Sequence, residues 1–294
     1  MANLKEIKTR IDSVASMEQI TSAMKMVSAS KLRKSQNLVL KLRPYCARMQ
    51  SVVAHTLKGG IAGTSPFAQE REVKNVLVVA VSSNSGLCGS FNATVAKEVI
   101  QHLQTLATDS SVNISLVCVG RKVGEYMTKH TDYKVVGHYD ELLDKLSYEQ
   151  SAKLAEQFLN AFLKKQYDRV DVISNHFINA AVYKTLTTTL VPFAMERLQE
   201  ETATITADSD CIFLPNHTEV EEALIPKIIK LRLYQFFLES LTAEHGARMT
   251  SMHKATENAS QMLKDLKLSF NKARQAAITN EIIEITNGAN ALSA

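Results

Sequence analysis

The chain lacks tryptophan and has few residues that end helices: its 294 residues include five prolines and ten glycines, and no glycine precedes Gly59. Proline and glycine interrupt helices and build turns, so long stretches without them predict long helices. No run of about 18 apolar residues occurs, so we expect no membrane-spanning helix. The first residues also lack the apolar segment of a secretory signal.

The four cysteines are scattered and form no CxxC pair, and the eight histidines form no metal-ligand cluster. Cysteines spaced in this way are more often small buried residues of a reducing compartment than disulfide partners. We therefore predict neither a disulfide framework nor a metal site, and no cofactor.

Positive charge is concentrated at the amino terminus. Residues 1–58 contain eleven Lys and Arg against three acids, a surplus of +8, whereas the whole chain carries +4, so that residues 59–294 sum to −4. A basic segment of this kind suits nucleic acid, a membrane surface or an acidic protein partner, and charge alone does not choose among them.

The first 58 residues are predicted to form one long helix with a single apolar stripe. Apolar residues recur every three or four positions at Leu4, Ile7, Ile11, Val14, Met17, Ile20, Met24 and Val27. This spacing places them on one helical face. Pro44 is expected to kink or interrupt the helix.

The last segment, 219–294, is predicted to form a second and longer helix. Between Pro226 and Gly288 there is no proline, and Gly246 is the only glycine. From Met252 onward, alternating steps of three and four define a heptad seam with many small residues: Met252, Ala255, Ala259, Met262, Leu266, Ser269, Ala273, Ala276, Asn280 and Ile283. Such a seam is typical of a coiled coil. We expect the two terminal helices to pair as an antiparallel coiled coil.

The middle of the chain, 70–195, alternates strand-like and helix-like segments after a linker at 58–69. The predicted strands are 75–81, 112–119, 133–138, 169–175 and about 187–193. The predicted helices are 91–107, 121–130 and 147–166. This alternation predicts an α/β domain built from βαβ units with a mainly parallel sheet. The polar stretch 199–217 is predicted to be a loop or an edge strand.

The segment SSNSGLCGSFN (82–92) follows the first strand and raises the question of a phosphate-binding loop. A dinucleotide fingerprint needs three glycines in GxGxxG, and a P-loop needs GxxxxGK[ST]; this segment has only Gly86 and Gly89 and contains no lysine. We therefore predict a tight structural turn. No motif of nucleophilic or metal-dependent catalysis occurs, and we predict no catalytic residues.

The carboxyl-terminal stretch 268–292 closely resembles the end of the γ subunits of F-type ATP synthases. The family pattern is met at Ile278, Thr279, Glu281, Glu284, Gly288, Ala289 and Ala291. ITSAMKMVSASKLRKSQ (20–36) and the GLCG turn (86–89) are similar to two further segments of that family.

This resemblance implies a rotary shaft made of the two terminal helices, with a Rossmann-like domain that carries no nucleotide. Its implied partners are the α and β subunits as an α3β3 ring, the ε subunit and the ring of c subunits, with one copy of the chain in each complex. The shaft couples rotation of the c ring to the catalytic β sites, and ATP chemistry takes place on β. The chain is then peripheral to the membrane, on the cytoplasmic face of a bacterial inner membrane; a mature mitochondrial chain is the alternative.

The resemblance also implies which side chains contact the partner subunits. The family's contact positions correspond to Met24, Lys25, Arg248, Arg274, Gln275 and Thr279 of this sequence. For each of them the competing interpretation is a solvated helix face, and for Met24 it is packing within the seam.

Three other functions remain open at this point. A free-standing coiled-coil adaptor would have a ligand pocket in 70–195 and would form a homodimer. A nucleic-acid binder using 1–58 is disfavoured because no aromatic residue precedes Tyr45. A nucleotide-using enzyme built on 82–92 would bind ATP in isolation, which we do not expect.

Overall fold

The computed structural model describes residues 4–58, 66–67, 71–108, 112–193 and 217–293. The helices are α1 (Leu4–Lys58), α2 (Phe91–Ala107), α3 (Arg121–His130), α4 (Tyr148–Leu163) and α5 (His217–Ser293). The strands are β1 (Asn75–Val81), β2 (Asn113–Val119), β3 (Lys134–His138), β4 (Arg169–Phe177) and β5 (Tyr183–Val191). Most of the predicted linker and nearly all of the stretch 199–217 lie outside the described residues.

The chain divides into two compact units, one made of Met1–Ser28 with Met249–Ala294 and the other of Ala29–Arg248. We call them the terminal unit and the sheet unit. Each of the two long helices contributes to both units. Within the described residues, no helix combines the length and apolar character that crossing a bilayer requires.

The sheet unit contains a five-stranded sheet in the order β3-β2-β1-β4-β5. The first four strands run parallel, and β5 pairs with β4 in the antiparallel direction. The predicted α/β fold with a mainly parallel sheet is therefore confirmed. The predicted fifth strand was placed too late, because β5 already begins at Tyr183.

Strand β1 lies at the centre of the sheet and is buried on both faces, as expected for the apolar run VLVVAV. Alternate residues point to opposite faces. Leu77, Val79 and Val81 join a core with α4 and α5, whereas Val76 and Val78 join a core with α2 and α3. The sheet is thus covered by helices on both sides.

Within the sheet unit, α1 and α5 run antiparallel to each other. Lys31 is electrostatically coupled to Glu244, and Arg43 is paired with Glu239 at 3.1 Å. Residue numbers therefore rise along α1 while they fall along α5. Glu239 also contacts His176 at the end of β4, and Arg43 donates to the carbonyl of Phe177. This network joins both helices to the sheet.

The expectation that Pro44 interrupts the first helix is wrong, because α1 continues from Leu4 to Lys58. Proline removes the hydrogen bond to the carbonyl four residues earlier, here that of Leu40. Pro44 and Leu40 are both exposed, so water at this face can replace the missing donor. Packing of the opposite face, at Val39 and Cys46, holds the helix together.

The helical Gly246 permits a close approach between α5 and the turn that joins β4 to β5. A Cβ atom at this position would lie 2.7 Å from the carbonyl oxygen of Ala180. We predict that Gly246→Ala lowers the free energy of unfolding of the sheet unit by about 1 kcal/mol, because overpacking outweighs the helix propensity that alanine adds. Urea denaturation measures this change.

Gly288→Ala is the matched control, since a Cβ there meets nothing within 4 Å. Alanine should stabilise the surrounding helix by about 0.5–1 kcal/mol, measured as slower amide exchange. Stabilisation of the sheet unit by Gly246→Ala would show that the approach to Ala180 is not restrictive.

In the terminal unit, α1 and α5 pair through a seam that differs from the apolar stripe predicted for α1. Its inward positions continue from Val14 to Glu18, Thr21, Lys25 and Ser28, and Thr256 donates to Thr21 across the pair at 3.0 Å. Met17, Ile20 and Val27 are exposed instead. From Ile11 to Ile20 the apolar residues are spaced by three residues three times in succession. A coiled-coil seam advances 3.5 residues per turn, so the apolar stripe turns away from the seam along this part of the helix.

The predicted seam of α5 is also partly wrong. Met262 was placed on it but is 52% exposed, whereas its neighbour Leu263 is 8% exposed. Met252 and Ala259 are buried as predicted. The inward positions Met252, Thr256, Ala259, Leu263 and Leu266 still alternate in steps of four and three. The predicted seam is therefore correct at Met252, Ala259 and Leu266. It is wrong at five positions that are exposed, namely Met262, Ser269, Ala276, Asn280 and Ile283.

Candidate functional site

The segment 82–92, which we call the switch loop, lies where the sheet changes its direction of winding. From β1 the chain passes through α2 to β2 on one side, whereas β4 pairs with β1 on the other side. In open α/β sheets ligands commonly bind beyond the carboxyl ends of the strands at such a switch point. A ligand site in this fold would therefore be expected at the switch loop.

The N-terminal amides of α3, which lie near the loop and could otherwise hold a phosphate, already have acceptors within the chain. The amide of Val123 donates to the hydroxyl of Ser82 at 3.0 Å, and the amide of Arg121 donates to the side-chain oxygen of Asn84 at 3.1 Å. The backbone amide of Lys122 donates to the carbonyl of Ser83 at 3.1 Å. The loop thus caps the start of α3. The amides that could bind an anion at this helix end already donate to atoms of the loop.

The loop itself is a tight turn, with positive φ at Leu87 (63°) and Gly89 (62°). The Ser83 amide and hydroxyl both donate to the Asn92 side-chain oxygen, at 3.1 and 2.9 Å. A Cβ at Gly120, which has a φ of 97°, would lie 2.4 Å from the carbonyl oxygen of Ser82. Glycine is therefore needed at positions 89 and 120 because the backbone there has a positive φ, which other residues rarely adopt.

An arginine of α5 binds the loop. Arg248 donates to the carbonyls of Ser85 and Gly86 at 3.0 and 3.2 Å and to the Ser85 hydroxyl at 2.9 Å. Its other terminal nitrogen pairs with Glu244 at 2.7 Å. Because carbonyl oxygens rather than amides point to the guanidinium, this face of the loop attracts a cation and disfavours a phosphate.

Burial changes the electrostatics around Arg248. Burial raises the pKa of Glu244, and the charges of Arg248 and Lys31 only partly oppose this. Burial together with the same two cations lowers the pKa of His245 to about 4. His245 is therefore neutral near pH 7, and Arg248 is the charged group that fixes the loop.

We predict that Arg248→Ala makes amide exchange in the switch loop and at the start of α3 at least about tenfold faster. Hydrogen bonds from a charged donor contribute about 1.5–3 kcal/mol, which corresponds to a factor of ten or more. Hydrogen–deuterium exchange at Ser83 and Arg121 measures this effect. Arg248→Lys should rescue only part of it, because one ammonium group lacks the planar fork of donors. Unchanged exchange in Arg248→Ala would contradict this role.

The structure places the predicted contact residues in three different settings. Met24 and Lys25 are half-buried on α1, and Arg248 is 9% exposed and bound to the switch loop. Arg274, Gln275 and Thr279 are exposed on α5. Residue 274 lies 18 positions beyond Thr256, roughly 27 Å along the helix, so the contact residues do not form a single site.

The segment 274–290 of α5 is exposed on every face. All side chains from Arg274 to Asn290 are exposed, and Ala273 is the last that is half-buried. The Thr279 hydroxyl donates to the carbonyl of Gln275 at 2.9 Å, within the same helix. Arg274 makes no ion pair with the described residues. This segment is therefore available for contact along its whole circumference.

Sequence reasoning missed the exposed apolar residues of both long helices. Met17, Ile20 and Val27 were assigned to the pairing stripe, Ile278 was named only as part of the family pattern, and Ile282 and Ile285 were not singled out. All six are at least half exposed. Counting heptads from Ile7 rather than following the apolar residues would have found the first group. The second group follows steps of four and three on a single face.

These features define a class of protein: an α/β domain whose switch loop is occupied by an arginine of its own C-terminal helix, combined with paired terminal helices. The family model described as ATP synthase matches residues 3–292. The chain is 44% identical to the ATP synthase gamma chain of Flavobacterium johnsoniae, with 100% of both chains covered, and 38% identical to that of Bacteroides fragilis, with 99% of this chain and 100% of that chain covered.

Solved structures support the fold. An OSCP/F1/c-ring assembly of the mitochondrial ATP synthase of Euglena gracilis contains a similar chain at a TM-score of 0.67 and 19% identity, covering 98% of this chain and 94% of that one. The central stalk of the Tetrahymena thermophila mitochondrial enzyme gives 0.59 at 24% identity, covering 80% and 99%. The chain belongs to the family of ATP synthase gamma chains, the non-catalytic subunits of the central stalk of F-type ATP synthases.

Proposed function

We propose that this chain is the rotating shaft of a bacterial F-type ATP synthase and transmits rotation of the c ring to the catalytic β subunits. Its full-length identity to bacterial gamma chains is the observation that carries this proposal. Each complex contains one copy of the chain. The chain also contacts the α and ε subunits. The complex lies on the inner membrane with this chain on the cytoplasmic side, peripheral to the bilayer.

The terminal unit has the physical properties that this task requires. A shaft transmits torque only if it is stiff, and a heptad seam with Ala259 and other small residues brings two helices into close contact. Glu281 and Glu284 are the only ionised side chains after Lys272 and Arg274. A segment with few charges can turn inside a protein sleeve without forming strong ion pairs.

Contact with the α and β subunits is proposed for two levels of the helices. At one level Met24 and Lys25 contribute, and at the other Arg274, Gln275 and Thr279 contribute. Exposed ion pairs are individually weak, about 0–1 kcal/mol, so contacts of this kind can break and re-form during each turn. For Arg248 we propose that its contact with partners is indirect, through the loop it holds.

The exposed segment 274–290 of α5, which we call the tail, provides the decisive test. We predict that the triple variant Arg274→Ala, Gln275→Ala, Thr279→Ala lowers the ATPase activity of a complex reconstituted with α and β subunits by at least about tenfold, because three polar contacts of about 0.5–1.5 kcal/mol each are lost. The stability of the isolated chain should not change, because all three side chains are exposed.

Lys264→Ala with Lys267→Ala is the control, since both lysines are exposed on the same helix before the tail. It should retain full activity. If activity of the reconstituted complex does not depend on the chain at all, or survives removal of residues 274–294 unchanged, the proposed shaft role is wrong. Sedimentation of the isolated chain separately tests the homodimeric adaptor.

A further inference from the structure

The part of α1 that belongs to the sheet unit carries a second heptad seam on an exposed face. Its positions, which we call the outer seam, are Lys31, Lys34, Leu38, Lys41, Tyr45, Arg48 and Val52. They alternate in steps of three and four, and all seven side chains are exposed. The inner seam of the same helix, through Leu32, Val39, Cys46 and Val53, is buried.

The apolar members of the outer seam repeat every seven residues. Leu38, Tyr45 and Val52 are 45%, 54% and 45% exposed. A seven-residue spacing places them about 10.5 Å apart along the axis and keeps them in line with a second helix that winds around the first. Scattered exposed apolar residues need no explanation, but a heptad repeat of them indicates a helical partner.

The basic members alternate with the apolar ones. Lys34, Lys41 and Arg48 make no ion pair with the described residues, although Arg43 on the same helix is paired with Glu239. A row of unpaired cations beside an apolar row favours a partner that carries carboxylates at matching positions. An amphipathic helix with such carboxylates satisfies both rows.

One end of the outer seam opens into a cavity of the sheet unit. The cavity has a volume of about 450 Å³ and is lined by Lys31, Lys34 and Leu38 together with Leu146 and Tyr234. Its lining also includes Asp144, Glu244 and Arg248, so the cavity is mixed in polarity and carries charges of both signs. It can receive a side chain from the end of a docked helix.

We propose that the outer seam docks an acidic amphipathic helix of another subunit of the ATP synthase. The apolar residues of that helix pack against Leu38, Tyr45 and Val52, and its Asp and Glu residues pair with Lys34, Lys41 and Arg48. A membrane surface is a poorer match, because the apolar row is one residue wide and an interfacial helix needs a broad apolar face. The inference rests on the proposed function only in taking the partner from the same complex.

Photocrosslinking in the assembled complex tests this inference. Benzoylphenylalanine is placed at position 38, 45 or 52, the complex is assembled with its natural subunits, and crosslinked peptides are identified by mass spectrometry. We expect all three positions to capture one acidic helix, at residues about seven apart on it. Crosslinks to lipid, to a second copy of this chain or to a segment without Asp and Glu, or no crosslinks in an active complex, would overturn the proposal.

Charge reversal supplies the matched comparison. Lys34→Glu, Lys41→Glu and Arg48→Glu together should lower the crosslinking yield from position 45 by about tenfold, as three ion pairs are replaced by repulsion. Lys97→Glu, Lys129→Glu and Lys153→Glu, at exposed positions of other helices, should leave it unchanged. Equal yields in the two triple variants would contradict the pairing. If the ATPase activity of the unmodified complex did not depend on this chain, the shaft role would be rejected instead. The crosslinks would still show whether the outer seam binds an acidic helix.

Discussion

Asp171→Ala is expected to lower the free energy of unfolding of the sheet unit by about 3 kcal/mol. Asp171 is fully buried on β4 and accepts hydrogen bonds from Arg169 at 2.8 Å and Thr189 at 2.9 Å. Its second oxygen lies 2.9 Å from the Nε2 atom of His102 on α2. Alanine leaves these partners without an acceptor. The loss falls at the lower end of the usual range because Arg169 and His102 both reach solvent.

Tyrosine fluorescence during urea denaturation measures this loss selectively. All eight tyrosines lie between residues 29 and 248, and tryptophan is absent, so the signal reports the sheet unit alone. Asp171→Asn should cost less than alanine, because its amide oxygen can still accept from Arg169. Asp132→Ala, at an exposed position, should change stability by less than about 0.5 kcal/mol. Equal losses for Asp171→Ala and Asp132→Ala would contradict the prediction.

Glu239→Gln is expected to destabilise the sheet unit by about 3 kcal/mol near neutral pH and by much less in acid. Burial by itself raises the pKa of Glu239, but hydrogen bonds from His176, Arg43 and Gln235 outweigh it and lower the pKa from 4.5 to about 2. The folded state therefore favours the carboxylate. This stabilisation is complete above the unfolded pKa of about 4.5 and is lost as the pH falls towards 2.

The measurement is urea denaturation of the natural chain and of Glu239→Gln at about pH 6 and about pH 3. Their difference in unfolding free energy should shrink by about 2 kcal/mol between the two conditions. Glu222→Gln, at an exposed position of the same helix, is the control and should show no such change. A difference that stays constant with pH would rule out the depressed pKa as the source of the stabilisation.

Local patterns predicted the secondary structure closely because each element is encoded within its own residues. The run VLVVAV marks β1, and the apolar spacing of α2 at Phe91, Val95, Val99 and Leu103 marks both its period and its length. Besides the start of β5, which was placed too late, the expected interruption at Pro44 was wrong. The cost of this proline, about 3 kcal/mol, is local, whereas the burial that offsets it comes from other elements.

The register of the paired helices could not be read from apolar residues alone. The structure places Thr21 against Thr256 and exposes Met17 and Ile20, because one supercoil must serve the whole pair. A sequence shows which residues are apolar, but it does not show which of two overlapping stripes meets the partner helix. That choice depends on both helices together.

By itself the sequence determined the two long helices, the alternating strands and helices between them, and membership of the gamma chain family. Only the tertiary structure decided which residues the charges meet: Arg248 binds a loop more than 160 residues earlier in the chain, and Arg43 pairs with Glu239, 196 residues away. The reason is physical. Periodicity and turn propensity act over a few residues, whereas a buried ion pair depends on where distant segments come together.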